Sequence, residues 1–106
     1  MYDDVIYKGR YIWNRLKNEK NKKEHGISFE DASDIFDDLF AVEEYDADNS
    51  EYEERYNITG YLEGLSYVTV AFTLRDNLTR IFSSRESDPE ERGAYNENVK
   101  RHIGYN

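Results

Sequence analysis

Cysteine is absent from the 106 residues, and with it go disulfides, zinc ribbons and thiol catalysis. Proline, methionine and tryptophan occur once each and histidine twice. No run approaches the roughly 20 apolar side chains that a membrane-spanning helix needs. The acidic start Met1-Tyr2-Asp3-Asp4 lacks the basic-then-apolar order of a secretion signal, so a cytoplasmic chain is expected. Hydrophobic residues are scarce at 38%, but ten Tyr and five Phe lift the aromatic share to 15%. Each ring buries a large area, so a core is within reach of a single domain over residues 1–106.

The net charge of −9 argues at first against a nucleic-acid partner. Its distribution does not. Lys8 to Lys23 holds seven bases and one acid, Glu30 to Glu54 holds twelve acids and no base, and the stretch from Arg55 onward is balanced. The chain therefore has a positive pole fit for a phosphate backbone and a negative pole fit for a basic protein partner. The plainer alternative is that both are solvated surfaces.

Val5 to Trp13, around Gly9, is expected to form a strand or hairpin. Asn14 caps a helix over Arg15 to His25, with Gly26 as its stop; Leu16 is its single apolar residue. Ser28 and Asp31 resemble a capping box, with Ile27 and Ala32 as the staple, opening a helix from Phe29 to Asp38. Leu39 to Tyr45 is a candidate strand and Asp46 to Glu54 an acidic loop. Arg55–Leu62, Leu65–Leu74 and Leu78–Ser84 follow as strands, the last two joined by a turn at Arg75-Asp76-Asn77. Asp88-Pro89-Glu90-Glu91 opens a final helix whose apolar side is Ala94, Tyr95, Val99 and Ile103. This order predicts an α+β domain. An antiparallel sheet of three to five strands would carry two N-terminal helices and one C-terminal helix, all on one face.

Most chemistries fail on the residues present. Two distant histidines and no serine at a Gly-flanked elbow exclude a serine hydrolase. Asp46-x-Asp48-x-Ser50 hints at a calcium loop, but Glu51 and Asn57 stand where that loop needs Gly and Glu. Neither a metal nor another cofactor is implied. What remains is arginine on strands. Alternation sends Arg55 and Arg80 to the uncovered side of the sheet, with Arg85 at the opposite parity near the rim. Guanidinium groups suit phosphate and stabilise a phosphorane formed when an RNA 2′-hydroxyl attacks its own phosphodiester. His25, Glu54, Glu91 and Tyr95 are candidates for the proton transfers. The alternative is that these arginines merely neutralise Glu54, Glu86 and Glu91.

One set of spacings is more specific. Trp13-Asn14-x-x-Lys17-Asn18-x-x-Asn21-x-x-Glu24-His25-Gly26-Ile27-Ser28-Phe29-Glu30-Asp31-Ala32 resembles the N-terminal signature of the BrnT toxin family. Ile35-Phe36-x-Asp38, Glu54-Arg55-Tyr56-x-Ile58-x-Gly60, Arg80-Ile81-x-Ser83-x-Arg85 and Glu91-Arg92-x-x-Tyr95 continue the resemblance in order. It implies a RelE-like fold and a metal-independent endoribonuclease that inhibits translation. It also implies a BrnA-type antitoxin in a two-toxin, two-antitoxin complex. Carried over by position, the functional residues are His25, Arg55, Arg80 and Arg85, then Lys23, Glu54, Glu91 and Tyr95. The helix bearing Lys17, Lys20, Lys22 and Lys23 would hold flanking RNA. Two positions depart: Glu24 stands in place of a Lys and Asn14 in place of an Asp. A second expectation follows, a homologue that binds a basic antitoxin segment through Glu30 to Glu54 without cleaving RNA.

Overall fold

In the computed structural model, residues 4–104 are described; Met1 to Asp3, the start of the segment weighed above as a signal, lie outside them. Strands β1 (Val5–Lys8) and β2 (Tyr11–Asn14) form a hairpin about Gly9, whose φ of 58° suits glycine. Helix α1 (Arg15–His25) and the short α2 (Phe29–Ala32) follow, then β3 (Val42–Tyr45), β4 (Tyr56–Leu62), β5 (Ser66–Arg75), β6 (Leu78–Glu86) and α3 (Pro89–Ile103). Among the described residues no helix is long and apolar enough to cross a membrane.

The fold class is α+β as expected. The sheet has six strands, one more than expected, in the order β1-β2-β6-β5-β4-β3. It is mixed, because β2 pairs with β6 in parallel through Tyr11–Thr79 and Ile12–Arg80. Asp76 and Asn77, at φ 52° and 67°, supply the two left-handed residues of a tight hairpin between β5 and β6.

The caps fall where the sequence placed them. Asn14 Oδ1 accepts the Lys17 N–H at 2.9 Å, and Ser28 Oγ accepts that of Asp31 at 3.0 Å. Asp88 and Glu91 close a reciprocal capping box at the start of α3. The helix expected from Phe29 to Asp38 does not persist, since it tightens after Ala32 into a 3₁₀ turn over Ser33–Asp37. Ser33 Oγ donates to Glu30 O at 2.7 Å, a side-chain bond that competes with the regular ladder.

The core lies on one face of the sheet, where Val68, Val70, Phe72, Ile58, Ile81 and Trp13 meet Phe29, Ala32 and Ile35. Gly60 makes room there: a Cβ on it would lie 2.9 Å from Ile35 Cβ. Helix α3 packs on the opposite face instead, where buried Thr59, Thr69 and Ser87 form a hydroxyl chain at 2.8 and 2.7 Å. The helices therefore do not share a face. That polar strip beneath α3 explains why: strands β4 and β5 alternate apolar toward α2 and threonine toward α3.

Both inner strands that outrun their neighbours are finished by side chains. Asn21 of α1 accepts the Ser84 N–H at 3.2 Å and donates to Ser84 O at 2.8 Å, continuing β6 where β2 ends. Asp38 Oδ2 accepts the Tyr61 N–H at 2.9 Å, continuing β4 where β3 ends.

Candidate active site

A slip in one strand pair builds the site. Phe72 of β5 faces Ile81 while Ala71 faces Ser83, so Phe82 has no partner across the ladder. This β-bulge reverses the alternation. Ile81 and Ser84 both point into the core, at 1% and 0% exposure, although their numbers differ in parity. Arg80 and Arg85 consequently share the outer face. The opposite parity assigned to Arg85 from strict alternation is corrected by that one extra residue.

Helix α3 packs over β3 and β4 and leaves the outer face open beside β6. On it lies a groove lined by Lys17, Asp46, Arg55, Phe82, Ser83 and Arg85 among others. The Phe82 ring is its centre. The Arg55 guanidinium carbon sits 4.1 Å from the ring centroid, Arg80 approaches at 5.7 Å, and the Lys17 ammonium at 5.6 Å. All three are within cation–π range. Asn21, one turn beyond Lys17, fixes α1 to Ser84 and so brings the lysine beside Phe82. Arg80 has no ion pair among the described residues. Arg55 stands 3.7 Å from Glu53, which is shared with Arg75 at 2.9 Å.

Arg85 is tied down. Its two terminal nitrogens donate to Glu91 at 2.8 and 2.9 Å. Glu91 Oε1 also accepts from the Asp88 N–H at 2.9 Å and the Thr69 hydroxyl at 3.1 Å. Chiefly through the Arg85 hydrogen bond, and against the cost of burial, the Glu91 carboxyl is held below its ordinary range. The same bond raises Arg85. Neutralisation of an arginine by a local acid is therefore real for Arg85 with Glu91, while Arg55 meets Glu53 rather than Glu54.

Four proposed proton carriers are not gathered at the groove. Glu54 accepts from the Tyr56 hydroxyl at 2.9 Å, and the Tyr56 ring packs on Phe72, on the core side away from Arg55. Glu91 is an ionised carboxylate engaged by Arg85. The Tyr95 hydroxyl donates to Asp38 at 2.7 Å; burial, then this bond, push it upward, so it stays protonated. His25 is exposed at the far end of α1, 3.9 Å from Glu24, about 12 Å along the axis from Lys17 at 1.5 Å per residue. Lys20, also 3.9 Å from Glu24, lies on Lys17's flank of the helix, and Lys22 and Lys23 project more than 100° round it.

Sequence reasoning missed Phe82 and Asp46. Phe82 had a signal: its parity with Arg80 sends a large ring to the uncovered face. Asp46, weighed above as a calcium ligand, lines the groove and accepts from the Asn49 amide at 2.9 Å.

The fold is thus a small α+β domain with a mixed sheet and a groove lined by Lys17, Arg55 and Arg85. Residues 13–91 match the family described as the ribonuclease toxin BrnT of type II toxin-antitoxin systems, and the chain belongs to that family. The crystal structure of the Brucella abortus ribonuclease toxin BrnT is similar, with a TM-score of 0.56 and 25% sequence identity. The match covers 72% of this chain and 92% of that one. None of the curated proteins matches the chain. A toxin of a type II system has an antitoxin as its partner.

Proposed function

We propose that this chain is an active endoribonuclease that inhibits translation without a metal ion and is neutralised by a BrnA-type antitoxin in a two-toxin, two-antitoxin complex. The observation that carries it is the convergence of Lys17, Arg55 and Arg80 on one ring, with Arg85 in the same groove. An RNA phosphodiester laid there meets fixed guanidinium donors. The substrate's 2′-hydroxyl attacks the adjacent phosphorus as the bond to the 5′-oxygen breaks, and the departing 5′-oxygen takes a proton from water, leaving a cyclic phosphate and a 5′-hydroxyl. The arginines stabilise the charge that grows on the equatorial oxygens, in place of a cation from solution. Asp46, the carboxylate lining the groove, takes the 2′-hydroxyl proton. Lys20 extends the cationic surface toward flanking RNA.

The test is tightly controlled expression without the antitoxin, together with purified chain and RNA in EDTA. Growth arrest and cleavage in chelator are expected; folded protein that leaves RNA intact refutes the proposal. A second reading, an inactive toxin retained for antitoxin binding, is favoured by two ion pairs. Arg85 is already satisfied by Glu91, and Arg55 stands near Glu53.

A further inference from the structure

We infer that Phe82 is a positioning residue of the ribonuclease site, acting through the cations that surround it. The inference rests on the reading above for its activity readout alone. Arg55 comes from the residue just before β4, Lys17 from α1 and Arg80 from β6, three segments with no covalent reason to converge. Like charges on flexible stems move apart into water unless something holds them. Carboxylates do so only weakly here: Glu53 is 3.7 Å from Arg55 and divided with Arg75, and Arg80 has no ion pair among the described residues.

The electron-rich face of an aromatic ring attracts cations without neutralising them. That distinction matters at a phosphate site, because a carboxylate partner must be displaced before the phosphate binds, whereas a ring need not be. The Arg55 guanidinium carbon lies over Phe82, 4.1 Å from the ring centroid, so the ring gives its fork a surface to rest on. The bulge adds the second element. Phe82 is the residue left out of the β5–β6 ladder, so the irregularity that aligns Arg80 with Arg85 also presents the ring between them.

The experiment compares Phe82→Leu, which keeps bulk and loses the ring's charge distribution, with Phe82→Tyr, which keeps the ring. The probe is a fluorescent 2′-O-methyl RNA oligonucleotide, which binds but has no free 2′-hydroxyl to attack. F82L should weaken its binding about tenfold, F82Y by less than about twofold, both with unchanged melting temperature. In F82Y the Arg55 Nε–Hε resonance should keep its ring-current shift, showing that the guanidinium still lies over the retained ring while binding is preserved. Equal binding by wild type and F82L overturns the inference, as does an equal loss in F82L and F82Y, which would mark a role in shape only. Cleavage of unmodified RNA is measured in parallel. Wild type that binds but does not cleave, with F82L still weakened, defeats the ribonuclease reading and leaves the positioning role standing.

Discussion

Glu91 holds Arg85 with both carboxylate oxygens, at 2.8 and 2.9 Å, while the same Oε1 closes the capping box of α3 through the Asp88 N–H. One side chain thus joins the final helix to the rim of the groove. The pair sits at the boundary between the covered and open halves of the outer sheet face, with Thr69 beneath it. A residue so placed is held as a carboxylate by its arginine partner and by the start of α3.

Glu91→Gln separates those roles. Its folded carboxyl is held below the ordinary range, so its stabilisation is complete above the unfolded pKa of about 4.3 and fades as pH falls through the lower folded value. Arg85 is 38% exposed and Glu91 21%, so solvent screening keeps the expected loss at pH 7 to about 1–2 kcal/mol. Denaturant unfolding at pH 7 and pH 3 should show a gap between wild type and variant that closes in acid. RNA cleavage should fall less than about tenfold; a loss of a hundredfold or more would make Glu91 a proton carrier after all.

Arg80→Ala should do the reverse. Arg80 has no ion pair among the described residues and approaches only the Phe82 ring, at 5.7 Å, so stability should change by less than about 1 kcal/mol. Removing one fixed donor to a developing phosphorane should cut cleavage by roughly 10²–10³, read as kcat/KM on an RNA oligonucleotide and as relief of toxicity. Loss of the folded state would assign Arg80 a structural role instead.

The helix boundaries were legible because each depends on a local code: Asn14, Ser28 and Asp88 cap in place, and Gly26 ends α1 at φ 75°. Arg55 and Arg80 were placed on the open face by alternation alone. What alternation could not supply was the bulge at Phe82, because it arises between two strands and no residue in β6 announces it; Arg85 was misassigned for that reason. The acid partners were equally hidden. Tyr95 and Asp38 are 57 residues apart and meet only after α3 crosses the face opposite α2.

Asn21→Ala tests how a helix with a single apolar residue stays attached. The Asn21 side chain is buried and bonds to Ser84 N–H, Ser84 O and Ile27 O. The variant strands buried backbone groups of β6, so a loss of about 2–4 kcal/mol is expected by chemical denaturation. Cleavage should also drop in protein that remains folded, because Lys17 sits one turn away on the same helix and loses its place beside Phe82. A stable, fully active variant would show that α1 is held by other means.

Tyr95→Phe decides between chemistry and architecture at a residue that looked catalytic by position. The Tyr95 hydroxyl donates to Asp38 Oδ2 at 2.7 Å, and that oxygen also receives the Tyr61 N–H at 2.9 Å. Burial and the adjacent carboxylate both raise the hydroxyl's pKa. The stabilising bond is therefore fully present below the unfolded value of about 10 and is lost only as pH climbs through the higher folded one. Between pH 6 and 9 the variant should be less stable than wild type by a constant amount of about 1–2 kcal/mol. Its RNA cleavage should stay within a few-fold, because neither Tyr95 nor Asp38 lines the groove. A hundredfold fall in kcat at unchanged stability would return Tyr95 to the catalytic machinery and require the RNA to span both sides of α3.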